Sequence, residues 1–199
     1  MDKVLTYKEI RDYLEEIKTV DRELIDNPTK HFITTETYKC ELKNGKVVTR
    51  EKILKNGKDG GASIIFPITT DNKVILAMEP RVFTKETVDI GLPAGYIEEN
   101  EEPMDAAIRE LKEETGYEVG NIIELGNYYQ DQGCSGALNY YYLATGCRKV
   151  SEQKLDKDEY VSCVVVDLDE IDKLLEMNLI KGLNSIYLIE KGKRYLKEM

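Results

Sequence analysis

The segment GYIEENEEPMDAAIRELKEETGY, from Gly95 to Tyr117, is the most informative part of this chain. It contains seven glutamates and Asp105, whereas its cations are Arg109 and Lys112. A solvated surface helix ordinarily mixes charges of both signs, because opposite charges three or four residues apart attract each other. So dense a set of like charges requires something that offsets their repulsion.

In a helix that begins at Pro103, each residue is rotated by 100° from the one before, so the side chains of this segment fall on distinct faces. We expect the side that faces the core to consist of Met104, Ala107, Ile108, Leu111 and Thr115. Glu110, Glu113 and Glu114 fall on a neighbouring arc that contains no cation. Gly116 follows directly and is a natural C-terminal cap, so the helix is expected to end there.

The three glutamates at 110, 113 and 114 are close enough to repel one another. Each like-charged pair at this spacing costs roughly 0.2–0.5 kcal/mol in an isolated helix, and burial increases the cost because it weakens screening. Clustered carboxylate oxygens are the ligands that Mg²⁺ and Mn²⁺ prefer. A bound divalent cation would therefore offset the repulsion. The alternative is an ordinary solvated acidic face, and the lack of interleaved cations counts against it.

The overall composition limits the class of protein. The 199 residues, of which 41% are hydrophobic, suit one globular domain, with or without a small appendage. The net charge of −10 and the pI near 4.8 argue against binding to nucleic acid or anionic membranes, which both require a basic surface. The chain has no apolar run of transmembrane length, and MDKVLTYKEI lacks the apolar stretch of a secretory signal. We therefore expect a cytoplasmic protein.

The cysteines and the histidine exclude several kinds of chemistry. The four cysteines are far apart and form no CxxC pair, so we expect free, buried thiols in a reducing compartment. His31 is the sole histidine of the sequence, which excludes His-rich metal sites and Ser-His-Asp catalysis. The chemistry must then depend on carboxylates, lysines, arginines, hydroxyls or thiols.

The order of the predicted elements indicates the α/β (α+β) class. An amphipathic helix over residues 6–25 carries Ile10, Ile17 and Leu24 on one face, and FITTETYKCEL and KVVTREKIL form a hairpin after it. Strands and helices then follow without the regular alternation of a parallel βαβ sheet. We expect an N-terminal extension over residues 1–57, which packs on the main body or on a second subunit, and one domain over residues 58–199.

The spacing of residues through the acidic segment resembles the Nudix box, the signature of the Nudix hydrolases. The defined positions are matched by Gly95, Glu101, Arg109, Glu110, Leu111, Glu113, Glu114 and Gly116. Tyr117 stands where an aliphatic residue is commoner in the family. The resemblance implies a Nudix α/β/α sandwich, in which a mixed sheet lies between helices, preceded by the N-terminal helix and β-hairpin.

Nudix hydrolases use Mg²⁺ or Mn²⁺ and an attacking water to cleave the pyrophosphate link of a nucleoside diphosphate joined to another moiety. By position, the resemblance implies that Glu110, Glu114 and the backbone carbonyl of Ala94 bind the metal. Glu113 would be a further ligand or a base for the water. The implied partners are therefore Mg²⁺ or Mn²⁺ and a nucleoside diphosphate derivative.

The resemblance also assigns supporting roles to two residues. Arg109 is expected to hold the glutamates in place through charge-assisted hydrogen bonds, and Glu101 is expected to brace the loop against the helix.

The stretch GLPAGYIEENE looks most like the ADP-ribose pyrophosphatase branch of the family. The N-terminal helix and hairpin also suit that branch. The resemblance therefore implies hydrolysis of a nucleotide sugar such as ADP-ribose. Members of the branch are often homodimers that use the N-terminal part at the interface, so we expect a homodimer.

The loop after the box, YYQDQGCSGALNYYYLA, departs from that branch. Gln130 and Gln132 stand where proline is expected, and Ala137 or its neighbours replace a glutamate that helps to activate water. Gly91 takes the place of an acidic residue before the LPAG-type turn. The departures leave three candidates for the general base: Glu113, Asp131 and Glu98.

Two residues are candidates for substrate binding. Arg81 follows the strand VILAME and could reach a substrate phosphate, with a plain surface arginine as the alternative. Asp131 lies in the altered loop, with a plain turn aspartate as the alternative. The altered loop also raises a second hypothesis, a non-catalytic Nudix-fold sensor that binds a nucleotide sugar without hydrolysing it. The retained glutamates argue against the sensor.

Overall fold

The computed structural model describes residues 3–16 and 31–198. The helices in these ranges are α1 (Tyr7–Glu16), α2 (Pro103–Thr115), α3 (Glu170–Glu176) and α4 (Leu183–Glu198). The strands are β1 (Ile33–Glu41), β2 (Val47–Lys55), β3 (Ala62–Thr69), β4 (Lys73–Pro80), β5 (Val88–Gly91), β6 (Ala94–Tyr96), β7 (Tyr117–Glu118), β8 (Asn121–Tyr129), β9 (Leu138–Lys149) and β10 (Ser162–Asp167). No helix in these ranges combines the length and the hydropathy needed to cross a bilayer.

Eight of the described strands form one mixed sheet. Its order is β10-β4-β3-β9-β7, with β5 beside β4, β6 beside β3, and β8 beside β9. Strands β3 and β9 run parallel, with Ile64 opposite Tyr141. The other described neighbours in this sheet run antiparallel. The α+β class that the sequence predicts is therefore confirmed.

Helices cover both faces of the sheet. Successive residues of β3 point to opposite faces, so neighbouring side chains pack against different helices. Ile65 packs in one cluster with Leu111 of α2, and Phe66 packs in another with Leu188 of α4. All four side chains are fully buried, and each such burial stabilises the fold by roughly 1.5–3 kcal/mol. This arrangement is the α/β/α sandwich that the resemblance implies.

The predicted N-terminal helix is present as α1, and it packs into the main body. Ile10 is fully buried in the same core cluster as α4. The N–H of Leu5 also donates a hydrogen bond of 2.7 Å to the carbonyl of Val165 in β10. Ile17 and Leu24, the other named residues of the predicted face, lie outside the described residues.

The predicted hairpin is a two-stranded antiparallel ribbon of β1 and β2 that lies apart from the main sheet. Ile33 stands opposite Lys55 in this ribbon. A tight turn follows, in which Asn56 and Gly57 have φ angles of 50° and 76°. Asn-Gly is typical of turns that require two positive φ angles. The turn closes with a hydrogen bond of 2.7 Å from the Lys55 N–H to the carbonyl of Lys58.

All four cysteines are free thiols, but the expectation that all are buried is wrong. Cys40, Cys134 and Cys163 are partly exposed, because they lie on the ribbon, on a loop and on strand β10 respectively. Cys147 of β9 is buried, and burial raises the pKa of its thiol to about 11.

We expect Cys147 to resist alkylation in the native protein. The thiolate is the reactive form, and burial both retains the proton and blocks the reagent. Iodoacetamide at pH 8, followed by peptide mass spectrometry, should modify Cys147 only after unfolding in urea. Native modification at the rate of Cys40 on the ribbon would contradict this expectation.

Candidate active site

Helix α2 presents the acidic cluster from a well-defined position. Pro103 occupies its first turn, and Gly116 ends it with a φ of 75° and a hydrogen bond of 2.8 Å to the carbonyl of Lys112. Glu110 and Glu114 are buried, with 9% and 6% of their surface exposed. A buried carboxylate pair on one helix is unusual, because burial penalises each charge.

The buried side of α2 differs in one respect from the prediction. Met104, expected to face the core, is 37% exposed, whereas Ala106 is fully buried. The reason is that α2 also packs against β6, so the arc of the glutamates is covered as well. Helical periodicity alone does not predict this second contact, because it depends on where the chain before α2 passes.

The chain of β6 lies directly against the two buried carboxylates. A Cβ atom placed on Gly95 would lie 1.8 Å from Oε1 of Glu110. The N–H of Ala94 donates a hydrogen bond of 3.3 Å to Oε2 of Glu114. Glycine at position 95 is therefore required for this close approach of backbone and carboxylate.

Arg109 holds three glutamates together. Its Nε donates to Glu101 at 2.8 Å, and its Nη2 donates to the other oxygen of Glu101 at 3.1 Å. Its Nη1 donates to Glu110 at 2.8 Å and to Glu113 at 3.0 Å. The bonds with Glu101 are the largest cause of the raised pKa of Arg109, and they lower the pKa of Glu101.

Glu101 also supports the loop that leads into α2. Its carboxylate accepts a hydrogen bond of 2.9 Å from the N–H of Glu98. Arg109 donates a further bond of 3.1 Å to the carbonyl of Tyr96. The arginine and Glu101 thus connect the helix to the loop and to β6 in one network.

The surroundings of Glu110 and Glu114 disfavour the ionised form of both carboxyl groups. Burial raises the pKa of Glu114 well above its ordinary value, and the charges of Glu110 and Glu79 add to this effect. Burial also raises the pKa of Glu110, although Arg109 acts in the opposite direction. A cation beside these oxygens would stabilise the charged form of both groups.

The donor set fits a hard divalent cation. It consists of the two buried carboxylates of Glu110 and Glu114, and carboxylate oxygens suit Mg²⁺ or Mn²⁺. Among the described residues, no three Asp, Glu, His or Cys side chains already converge as a preformed metal group. Arg109 engages Glu113 and one oxygen of Glu110, which accounts for this arrangement.

The buried pair opens into a cleft of about 470 Å³, the acidic cleft. Eight residues singled out from the sequence line it: Arg81, Ala94, Gly95, Glu98, Arg109, Glu110, Glu114 and Gln130. Glu101 and Glu113 lie behind them and reach the cleft through their bonds to Arg109.

Arg81 lines the cleft, and its guanidinium forms an ion pair with Glu79. Burial raises the pKa of Glu79, which lies on the same strand, β4. Arg81 itself is half exposed, so a substrate phosphate in the cleft could reach it.

Asp131 does not line the acidic cleft. Its carboxylate accepts hydrogen bonds of 3.1 Å from the N–H of Gly133 and from the thiol of Cys134. These bonds turn the side chain back on its own loop. The geometry matches the alternative of a plain turn aspartate.

Other polar and aromatic residues that line the cleft were not singled out from the sequence: Lys55, Glu79, Tyr96, Asn139, Glu159 and Asn184. They come from segments far apart in the chain, and no local spacing connects them. Glu159 is brought near by its loop, since the side-chain amide of Gln153 donates to the carbonyl of Glu114. The N–H of Lys154 also donates to the carbonyl of Glu113 at 2.8 Å.

The fold and the site together define an α/β/α sandwich protein with a buried glutamate pair in an acidic cleft. The sequence model of the NUDIX domain matches residues 58–183. The chain therefore belongs to the Nudix family.

Several proteins are similar to this chain. The ADP-ribose pyrophosphatase of Bacillus subtilis (strain 168) is 32% identical over 151 residues, which are 75% of this chain and 79% of that protein. The methanol dehydrogenase activator of Bacillus methanolicus is 33% identical over 131 residues, 65% of this chain and 68% of that protein. The crystal structure of an ADP compounds hydrolase has a TM-score of 0.74 at 24% identity and covers 91% of this chain and 97% of that chain. At 24% identity, the similarity to this crystal structure shows a shared fold alone.

Replacing Gly95 by Ala should weaken the binding of a divalent cation by about tenfold, because displacing a group that orients a ligand typically has such an effect. The added methyl group would push the Glu110 carboxylate aside, since that is the nearest movable atom group. Titration with Mn²⁺, followed by electron paramagnetic resonance, measures the affinity. Gly133→Ala is the control, because its Cβ would meet only the Asp131 carboxylate, at 3.3 Å. Equal affinities in both variants would contradict the role of Gly95.

Proposed function

We propose that this protein hydrolyses the pyrophosphate bond of a nucleotide sugar such as ADP-ribose, with Mg²⁺ or Mn²⁺ as cofactor. The observation that carries the proposal is the buried pair of Glu110 and Glu114 against the backbone of Gly95, inside a cleft. Membership of the Nudix family supports the reaction, and the similarity to an ADP-ribose pyrophosphatase supports the substrate class.

In this proposal Glu110, Glu114 and the carbonyl of Ala94 would hold the ion, and Glu113, whose carboxylate is bonded to Arg109, would be a further ligand. A bound ion supplies positive charge for the two phosphoryl groups and makes a nearby water easier to deprotonate. Burial of the pair matters because carboxylates in a site of low polarity interact more strongly with a cation than exposed carboxylates do.

Arg109 and Glu101 position this machinery without contacting the substrate. Four bonds from the guanidinium to Glu101, Glu110 and Glu113 limit the rotamers of those side chains. Limiting them before substrate arrives lowers the cost of ordering the site during the reaction.

Arg81 is the proposed contact to a substrate phosphate, since a guanidinium suits a phosphate's oxygens. Its present partner is Glu79, so binding would exchange a carboxylate for a phosphate. Asp131, expected from the sequence to contact substrate, has no role in this proposal, because its carboxylate is bonded to its own loop and lies outside the cleft lining.

The attacking water must lose a proton to a base. Glu113 and Glu98 remain candidates from the sequence, and Glu159 joins them as an exposed carboxylate on the wall of the cleft. Glu113 is engaged by Arg109. Glu159 accepts one hydrogen bond of 3.1 Å, from the N–H of Asp156 to its Oε2, and unlike Asp131 it lines the cleft. We infer that Glu159 is the general base.

A panel of nucleoside diphosphate sugars and dinucleotides, incubated with the enzyme and Mg²⁺ or with EDTA, tests the proposed reaction. We expect a nucleoside monophosphate and a sugar phosphate from each nucleotide sugar that is hydrolysed, or two nucleoside monophosphates from a dinucleotide, formed only when the metal is present. If no substrate of the panel gave product at high enzyme concentration, the proposed hydrolysis would be refuted. Tight binding in calorimetry without any product would favour the nucleotide-sugar sensor instead.

We further propose that the protein is a homodimer that uses the β1–β2 ribbon. Five large apolar side chains of the ribbon and its flanks are 43–51% exposed: Phe32, Ile33, Tyr38, Leu42 and Val47. An isolated two-stranded ribbon is marginally stable, so a second copy that covers this surface would stabilise it. Sedimentation should give twice the chain mass of 22.8 kDa, and Val47→Glu should lower it. A parent protein of 22.8 kDa at micromolar concentration would refute the dimer.

A cytoplasmic location is consistent with the free thiols and is proposed on that basis, because free cysteines persist where the thiol pools are reduced.

A further inference from the structure

The acidic cleft adjoins a second cavity of about 650 Å³. Lys55, Tyr96 and Glu98 line both spaces, so these residues form the border between them. Phe32 and Leu138 line the second cavity and give it an apolar wall. A molecule with a charged centre and a bulky end could therefore extend from the cleft into the second cavity.

Lys55 is held at this border by its own backbone. It is the last residue of β2 and the first residue of the Asn56-Gly57 turn, whose two positive φ angles fix the direction of the chain. Its aliphatic stem packs on Gly60, where an added Cβ would lie 2.9 Å from the Cβ of Lys55. The ammonium group is thus presented from a constrained position, which reduces the entropy lost when it binds a ligand.

The surroundings of the Lys55 ammonium contain no strong anionic partner. Its Nζ donates a hydrogen bond of 3.2 Å to the side-chain carbonyl of Gln130. It also lies 5.4 Å from the centroid of the Tyr96 ring. Both contacts are with neutral groups, and each leaves the ammonium able to bind an anion.

The other two cations of the acidic cleft are already engaged. Arg109 forms ion pairs with three glutamates, and Arg81 forms one with Glu79. Among the described residues, Lys55 is the cation of the cleft with no carboxylate within the 4.0 Å of an ion pair. A diphosphate entering a cleft lined by glutamates would gain most from this remaining positive charge.

We propose that Lys55 binds a phosphate oxygen of the substrate, and that the N-terminal ribbon thereby supplies part of the substrate site. This inference rests on the proposed function, because it takes a nucleoside diphosphate derivative as the ligand. Lys55 touches the substrate away from the reacting water, so it strengthens binding of the ground state and the transition state alike. Its loss should therefore raise KM and leave kcat nearly unchanged.

Lys55→Gln is the variant that tests the assignment. We expect KM to rise roughly tenfold, the effect typical of a lost hydrogen bond to a charged group, with kcat within about twofold of the parent. Lys55→Arg should keep KM within about threefold, because it retains the charge. Lys46→Gln, in the turn of the same ribbon, removes an equal charge far from the cleft and should change neither constant.

A binding measurement separates this inference from the proposed reaction. Calorimetry with α,β-methylene-ADP, which resists hydrolysis, should give a Kd about tenfold higher for Lys55→Gln than for the parent and Lys46→Gln. Unfolding in urea confirms that each variant is folded, and Lys55→Met, which also removes the charge while keeping the length of the stem, replaces Lys55→Gln if the latter is not.

The outcomes are distinct. An active parent whose KM and Kd do not change in Lys55→Gln overturns the role of Lys55 and leaves the hydrolase intact. A parent without activity on any substrate, but with weaker binding of the analogue in Lys55→Gln, overturns the hydrolase and supports Lys55. A parent that neither turns over substrate nor binds the analogue overturns both.

Discussion

Glu114→Gln is expected to lower kcat/KM by about 10³-fold, because a metal ligand contributes several kcal/mol to stabilisation of the transition state. Glu114 is the more deeply buried of the two central carboxylates, with 6% of its surface exposed. The amide of glutamine keeps the volume of the side chain and can still accept the hydrogen bond from Ala94. The substitution therefore removes the charge while the packing is preserved.

The same variant should be at least as stable as the parent in the absence of metal. Burial and the nearby charges of Glu110 and Glu79 disfavour the ionised form of Glu114, so a neutral side chain relieves that cost. Loss of activity together with unchanged or higher resistance to urea would identify a functional rather than a structural role.

The control for Glu114→Gln is Glu190→Gln. Glu190 is an exposed residue of α4, so the control makes the same change of charge on the other face of the sheet. It should retain the kcat/KM of the parent. If Glu114→Gln were as active as this control, the assignment of the metal-binding pair would be wrong.

Glu159→Gln is expected to lower kcat by about 10²-fold, the contribution typical of a general base. Glu159 lines the acidic cleft beside Glu110 and Glu114. Burial is the main reason for the raised pKa values of those two groups, and the charge of Glu159 adds to both. Affinity for α,β-methylene-ADP should stay within about threefold, since the base acts on the water and not on the phosphates.

The rival bases provide the comparison. Asp131→Asn should keep kcat within about twofold, because its carboxylate is bonded to its own loop and lies outside the cleft lining. Glu98→Gln and Glu113→Gln, measured in parallel, complete the set. Full activity in Glu159→Gln with a large loss in Glu113→Gln would transfer the role of base to Glu113.

The sequence predicts local features of this protein well. The start of α2 at Pro103, its end at Gly116 and the common face of Glu110 and Glu114 depend on residues within about one helical turn of each other. The backbone of such a short segment is largely determined by its own side chains and caps. The spacing of the glutamates therefore predicts the common face of Glu110 and Glu114, and with it the divalent-cation site that we propose.

Predictions of which side chains are buried or line the site were less accurate, because these properties depend on contacts between distant parts of the chain. Met104 was expected to be buried and is exposed, because the approach of β6 moves the covered side of α2 toward the glutamates. The position of Asp131 in the loop after the box predicts a place in the site, yet its carboxylate is bonded to its own loop and does not line the cleft. In both cases the position of the side chain depends on contacts that helical or strand periodicity does not predict.

The amino-acid sequence by itself thus determined the acidic helix, its C-terminal cap at Gly116, the mixed α+β class and the family. The tertiary structure alone decided which distant residues complete the cleft: Lys55 from the ribbon, Glu159 from the loop before β10 and Asn184 from α4. The physical reason is the range of the forces. Helix periodicity and capping act over a few residues, whereas the lining of a cleft depends on the packing of whole elements whose order along the chain gives no measure of their distance in space.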